Sequence, residues 1–417
     1  MTDRHSREIF CWMLYDFANT AYTVIIVTFV YSVYFKNIVC EGLGNRGDLL
    51  WGISCALSML VAATLSPLLG AIADHSHSKK GFLIWFSLLC IISSGLLSLV
   101  QKGMVFLGMF LFILANVGFQ GGVVFYNAFL PELVPPDKMG RISGYGWAFG
   151  YLGAIFIIFI STPFLIDGWI PENLANIRFT FLLQAAFFAI FSLPAFIGLN
   201  QKRRKTPNTF NLGLIKMGFQ RLCDTYNHIG RYKELLKFLI AYFVYMEGVT
   251  TIIYFSTIYA SNTLGFTLKE LVGFYVVVHT AGIMGAILFG RLADIILPKR
   301  TISITLIMWI IVTVGAYLAY VKAIFWSIGL LAGLAIGSSQ AVSRSMMGLL
   351  TPKEKVTEFF GFYGVFTKSS AVIGPFVFGV VSALTQSQRF AIISVALFFI
   401  VGFILLQWVD EKKGYQL

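Results

Sequence analysis

Twelve apolar runs follow one another through the chain with short charged turns between them, each close to the ~20 residues a helix needs to cross the hydrocarbon of a bilayer. No other feature narrows the fold as far. In hydrocarbon every backbone N–H and C=O must find its partner within the protein, so runs of this length cross as helices. They fall at roughly 9–35, 49–73, 82–101, 104–127, 143–165, 178–199, 236–260, 268–292, 301–320, 324–348, 359–384 and 389–408. Composition agrees: 58% of the 417 residues are hydrophobic and 12% charged, whereas soluble domains carry about 25% charged residues. The expected class is an all-α membrane protein with twelve transmembrane helices in two six-helix bundles.

The net charge of +12 would suit a nucleic-acid partner if it formed one basic face, but Lys and Arg are confined to the turns. There they report topology. With the N-terminus inside, inner segments hold 21 Lys and Arg and outer segments with their borders hold 7, leaving Lys237, Arg344 and Lys368 within helices. That bias places both termini in the cytoplasm. The first run is longer than a signal-peptide core and lacks a clear cleavage site, so it is expected to remain as the first span. The absence of any N-x-S/T triplet points to a bacterial inner membrane. The longest polar stretch opens with Gln201-Lys202-Arg203-Arg204-Lys205 and sets the expected organisation: bundle 1–200, cytoplasmic linker 201–235, bundle 236–417. Within it, 212–231 mixes apolar and basic residues, as either a surface helix on the anionic leaflet or a solvated linker does.

The two halves echo each other. Gly70-Ala71-Ile72-Ala73-Asp74 follows the second span and precedes Lys79-Lys80; Gly290-Arg291-Leu292-Ala293-Asp294 follows the eighth and precedes Lys299-Arg300. Glycine lets helices approach closely, and each Asp can accept from the exposed amides of a neighbouring helix N-terminus or pair with a loop cation. Glu132 and Arg141 belong to the same inner ring, so the expected gate comprises Gly70, Asp74, Gly290, Asp294, Glu132 and Arg141. The fifth and eleventh spans correspond as well, entering through Pro136-Asp137-Lys138 and Pro352-Lys353-Glu354. Parallel repeats of six spans are the architecture of major facilitator transporters.

The paired loops resemble the inner-loop signature of the major facilitator superfamily, with His75 and His77 standing where a basic residue and a glycine are usual. More specific are Trp12-Met13-Leu14-Tyr15-Asp16-Phe17-Ala18-Asn19, Tyr126-Asn127-Ala128-Phe129-Leu130-Pro131-Glu132, Gln340-Ala341-Val342-Ser343-Arg344-Ser345 and Glu358-Phe359-Phe360-Gly361. Together these resemble the branch that includes fungal vacuolar amino-acid effluxers and bacterial relatives. The resemblance implies a major facilitator fold, a secondary transporter, and a central cavity lined by the first, fourth, seventh and tenth spans.

Each of those four spans carries an intramembrane polar stripe. Asp16, Asn19, Thr20 and Thr23 share a face of the first; Asn116, Gln120 and Asn127 of the fourth; Glu247, Thr250 and Thr251 of the seventh; Gln340 and Arg344 of the tenth. Ionisable groups in hydrocarbon cost ~2.5–3.5 kcal/mol each, so they are expected to face a cavity or a partner. Arg344 offers a planar fork to a carboxylate, from cargo, Asp16 or Glu132. Glu247 sits near mid-span, where low dielectric favours the neutral form of a carboxyl. It is the first candidate proton carrier and Asp16 the second, with a fixed pair to Lys368 or Arg344 as the alternative. His279 reads as a packing hydrogen-bonder and Gly374-Pro375 as a kink.

An enzyme is not expected: no phosphate loop, H-E-x-x-H or paired C-x-x-C stands in the chain, and no metal or cofactor is implied. The expectation is a monomeric secondary active transporter in the lipid bilayer, moving a small polar metabolite (an amino acid or similar) coupled to H+. A lipid flippase of the same fold, or a non-transporting receptor or scaffold, are the alternatives.

Overall fold

Apolar length converts directly into helices. A computed structural model of the chain describes residues 3–42, 46–76, 78–200, 220, 229–370 and 373–414, with no strand among them. Twelve helices among these residues are long and apolar enough to cross a membrane. They are α1 (His5–Val39), α2 (Leu50–Ser76), α3 (Lys79–Leu99), α4 (Val105–Leu133), α5 (Pro136–Leu165), α6 (Pro171–Gly198), α7 (Gly230–Ser256), α8 (Gly273–Ile296), α9 (Pro298–Leu318), α10 (Lys322–Leu350), α11 (Lys353–Ser382) and α12 (Gln388–Gln407). The chain is an integral membrane protein, and every expected span has its helix. Several begin or end beyond the apolar run. Thus α4 continues to Leu133 and α5 starts at Pro136, because a helix leaving the bilayer has no reason to stop where hydrophobicity does. Proline at the start of the Pro136–Lys138 turn suits that role, since its missing N–H would have been unpaired there anyway. The 212–231 stretch, read as either a surface helix or a solvated linker, lies almost wholly outside the described residues.

Both α1 and α11 depart from a plain α form. In α1, Thr23–Phe29 and Phe35–Val39 are π-helical, with Val30 N–H reaching Ile25 O (3.1 Å) and Cys40 N–H reaching Phe35 O (2.9 Å), five residues back. In α11, one helix ends at Ser369 and a second spans Ile373–Thr385.

The chain divides into two compact units. Unit 1 comprises Met1–Phe129, Phe149–Leu222 and Thr357–Gly361. Its centre is aromatic: Trp12 stacks on Tyr126 with ring centroids 4.6 Å apart and donates Nε1–H to Tyr126 O at 3.0 Å. Tyr15 stacks on the same Tyr126 and bonds Ser87 Oγ at 2.7 Å. Two of the sequence segments that carry the family resemblance therefore pack on each other, with the polar tips of Trp12 and Tyr15 hydrogen-bonded.

Unit 2 comprises Leu130–Ala148, Cys223–Val356 and Phe362–Leu417. Here α10 lies backbone to backbone on α8: a Cβ at Gly285 would strike Leu334 O, one at Gly333 Val278 O, and one at Gly337 Gly282 O. Lacking a water-driven force between helices in lipid, the protein gains this contact from small residues. Tyr245 bonds Ser343 Oγ at 2.6 Å and Tyr242 lies on Tyr363, tying α7 to α10 and α11.

The helix that becomes α8 begins at Leu268 behind a capping box: Thr267 accepts from Glu270 N–H while the Glu270 carboxylate accepts from Thr267 N–H at 2.7 Å. Lys322 at the head of α10 donates to the same carboxylate at 2.8 and 3.0 Å. This donation, with the Thr267 bonds, holds the Glu270 carboxyl down at about 2. A lowered folded-state value stabilises above the unfolded value, about 4.3, and the benefit fades as pH falls towards 2. Glu270→Gln is therefore expected to leave the pH profile of transport between about pH 5 and 8 unchanged. Its melting-point deficit against wild type should be constant over that window and shrink only below about pH 4.

Candidate functional site

The polar stripes divide between the two units. In unit 1, Asp16 and Asn19 are buried, and Thr20 and Thr23 half-buried. The Thr20 hydroxyl donates to Asp16 O at 2.8 Å, and Gly150 of α5 leaves room beside them, since a Cβ there would stand 3.1 Å from Thr20 Oγ1. Asn116 is 1% exposed and donates Nδ2–H to Ser58 Oγ of α2 at 2.7 Å, while its Oδ1 has no hydrogen-bond partner. Gln120 is half-buried and Asn127 buried. Asn116 is thus turned towards a neighbouring helix.

In unit 2, Gln340 and Thr250 are half-buried, while Thr251 is fully buried and spends its hydroxyl on Glu247 O at 2.6 Å. Arg344, 3% exposed, grips one residue twice: Nε–H to Ser143 Oγ at 3.0 Å and Nη2–H to Ser143 O at 2.7 Å. Ser143 in turn donates to Ala341 O at 2.6 Å, and the guanidinium carbon lies 5.4 Å from the Trp147 ring centroid. Glu132 is exposed. His279 Nδ1 stands 2.9 Å from Tyr275 O, with its ring stacked on that of Tyr275.

Glu247 is 1% exposed, and its carboxylate serves α11. Oε2 accepts from Gly374 N–H at 2.6 Å, with the Ile373 amide also bonding the carboxylate. These are first-turn amides of the Ile373–Thr385 helix, which cannot be paired within it, and the positive end of the helix dipole adds to the attraction. Pro375 follows directly, so Gly374-Pro375 begins a helix where the sequence suggested only a kink. A Cβ at Gly374 would strike Thr251 Oγ1, so glycine permits the approach. The second oxygen, Oε1, has no hydrogen-bond partner. One buried carboxylate thus holds a helix start through Oε2, while Oε1 makes no hydrogen bond.

The paired loops give the sharpest geometry. In unit 1, Asp74 accepts from the amides of Thr357 at 3.1 Å and Glu358 at 2.9 Å. In unit 2, Asp294 accepts from Gly140 at 2.7 Å and Arg141 at 3.0 Å. In both, the carboxylate takes the second and third residues of a helix, Val356–Ser369 or Met139–Leu165. Glycine makes both approaches possible: a Cβ at Gly70 would stand 2.5 Å from Thr357 O, and one at Gly290 2.6 Å from Gly140 O. Arg141 Nε adds an ion pair to Asp294 at 3.6 Å. Asn in place of either Asp keeps one acceptor oxygen of two. Asp74→Asn and Asp294→Asn are each expected to speed hydrogen exchange of the amides they cap about tenfold, and the double variant more, from the loss of one charge-assisted bond of ~1.5 kcal/mol.

Sequence reasoning did not single out Ser143, Ser58 or Tyr22, whose buried hydroxyl has no hydrogen-bond partner. A serine on a helix contact carries no distinguishing pattern. The one signal for Ser143 was its place among the small residues that open α5.

Comparison with known proteins follows the same lines. The family described as Vacuole effluxer Atg22 like matches residues 52–416. The MFS-type transporter YxiO of Bacillus subtilis is 31% identical, over 99% of this chain and 97% of its own. Autophagy-related protein 22 of Kluyveromyces lactis is 23% identical over 86% of this chain and 79% of its own. Among solved structures, the fucose:proton symporter FucP of E. coli superposes with a TM-score of 0.71 at 15% identity, covering 97% of this chain and 98% of that one. The proton:xylose symporter XylE gives 0.73 at 13%, covering 99% and 97%. At such identities these two share the fold.

Proposed function

This chain belongs to the vacuole effluxer Atg22-like family of major facilitator-type transporters, and from that premise we propose that it moves a small polar metabolite, of the amino-acid class, by alternating access coupled to the proton gradient. The observation that carries the reading is the repeated clasp. Asp74 and Asp294 each hold two helix-start amides with identical register, through a bond that water can replace. A carrier needs such contacts on its inner side, firm enough to close it and weak enough to open.

Glu247 supplies the coupling. A carboxylate with one oxygen committed to α11 and one uncommitted can take a proton and slacken its hold on that helix, tying proton occupancy to helix position. The buried Glu247 carboxylate supports the proton as coupling ion, and amino acids are the cargo class that the resemblance of the sequence motifs implies. Arg344 presents a planar fork of donors, which suits a carboxylate-bearing cargo. The protein works as a monomer in a bacterial inner membrane, both termini in the cytoplasm.

Asn116, Gln120 and Gln340 are the neutral hydrogen-bonders of this reading. Leucine at each is expected to lower uptake of the cargo into proteoliposomes about fivefold or more, the worth of one buried hydrogen bond of ~1 kcal/mol. Wild-type uptake in all three variants would refute the cargo route through these stripes.

A further inference from the structure

A cavity of about 580 Å³ opens between α2 and α3 and reaches the flank of α4 at Val117. Leu65, Leu69, Ile72 and Ser76 form its α2 wall, one face at helical spacing, and Gly81 and Trp85 stand on the α3 side. From Leu65 to Ser76 the helix rises about 16 Å, half of the ~30 Å hydrocarbon core, so the cleft runs the depth of one leaflet. Leu65, Leu69, Ile72, Phe82 and Phe86 give it an apolar lining along most of that length, the surface an alkyl chain packs against. Residue 81 on its wall is glycine, and a Cβ there would meet nothing within 4 Å. Trp85, 59% exposed, and Leu65, 37% exposed, leave its side open to the surrounding acyl chains.

The cleft is polar at one end only. Ser76 and Ser78 bond each other through their hydroxyls at 2.5 Å, beside the basic turn of His75, Lys79 and Lys80. The Lys79 and Lys80 ammonium groups donate to the carbonyls of Ala128 and Leu199, which fixes their positive charge at this level. Charge bias places that end at the inner leaflet, whose lipids are anionic.

We propose that this cleft is a binding site for one anionic phospholipid of the inner leaflet, an acyl chain along Leu65–Ser76 and the phosphate at the Ser76–Ser78 turn. The lipid has a mechanical consequence. Ile72 and Ser76 face the cleft, and Asp74, two residues from each, faces the opposite way on the same helix end, against the Thr357 and Glu358 amides. A chain in the cleft therefore backs the clasp.

Native mass spectrometry of the full chain, delipidated in detergent and re-exposed to phosphatidylglycerol or phosphatidylcholine, tests the site. Gly81→Leu fills the cleft. Gly52→Leu, also placed where a Cβ meets nothing within 4 Å, controls for bulk elsewhere on α2. Wild type and Gly52→Leu are expected to retain one phosphatidylglycerol, Gly81→Leu at least about fivefold less, and phosphatidylcholine to be held about fivefold more weakly, the worth of one lysine near the surface. Hydrogen exchange on wild type reads the clasp independently of any variant's folding: phosphatidylglycerol is expected to slow the 357–358 amides several-fold. Equal retention in Gly81→Leu and wild type, equal retention of the two lipids, or exchange at 357–358 indifferent to phosphatidylglycerol would each overturn the proposal.

Discussion

Glu247→Gln is expected to lower gradient-driven accumulation about ten- to a hundredfold while the protein folds and inserts normally. Glutamine keeps the shape and one carbonyl oxygen for the Gly374 amide, but it cannot bind and release a proton. The loss is that of a charge-assisted bond to the helix start, ~1.5–3 kcal/mol, together with the coupling itself. Exchange of cargo down its own gradient should survive, because glutamine still spans the gap to α11. Full pH-dependent accumulation by the variant, measured in proteoliposomes with an imposed pH step, would remove Glu247 from the mechanism. Glu270→Gln serves as the paired control, since that carboxyl is held at about 2 and stays charged across the same pH range.

Gly337→Leu is expected to abolish folded protein. At this position α10 rests on the backbone of α8, and even a methyl group would collide with Gly282 O. The atoms in the way, of Gly282 and Ala286, are α8 backbone and cannot swing aside, so the helices must separate, and the neighbouring contacts at Gly285 and Gly333 go with them. Gly337→Ala should cost about 1–3 kcal/mol, as overpacking typically does, and lower the melting point measurably. Gly379→Leu, where a Cβ meets nothing within 4 Å, should express and melt like wild type. Detergent-solubilised gel filtration followed by thermal melting separates these outcomes.

How far the sequence foretold this structure depends on what each feature is made of. The twelve spans were legible because hydrophobicity is carried residue by residue and lipid enforces helix. The clasps were half legible: the repeat picked out Asp74 and Asp294, and helix electrostatics supplied the kind of partner. Only the folded chain names those partners as Thr357, Glu358, Gly140 and Arg141, because backbone amides have no sequence signature. Glu247 illustrates the same limit. Its ionisable character in mid-span marked it, and Gly374-Pro375 marked an irregularity, yet the bond joining them spans 127 residues and ends on a main-chain N–H. Arg344 was expected to meet cargo or a carboxylate, and Ser143 takes two of its donors; its place among small residues marked a helix contact without naming Arg344 as the partner. The π-helical stretches of α1 were invisible because an i→i+5 bond leaves the apolar pattern of Thr23–Phe29 unchanged.

Transport of a small polar metabolite at the expense of a proton gradient is most directly tested by reconstituting the purified protein in liposomes, presenting a mixed pool of amino acids and similar metabolites, and imposing a pH step. The account predicts that at least one of them accumulates above its external concentration, that an uncoupler collapses the accumulation, and that Glu247→Gln liposomes fail to build it. Wild-type liposomes that retain no more of any polar metabolite than protein-free liposomes, with the gradient intact, would contradict it.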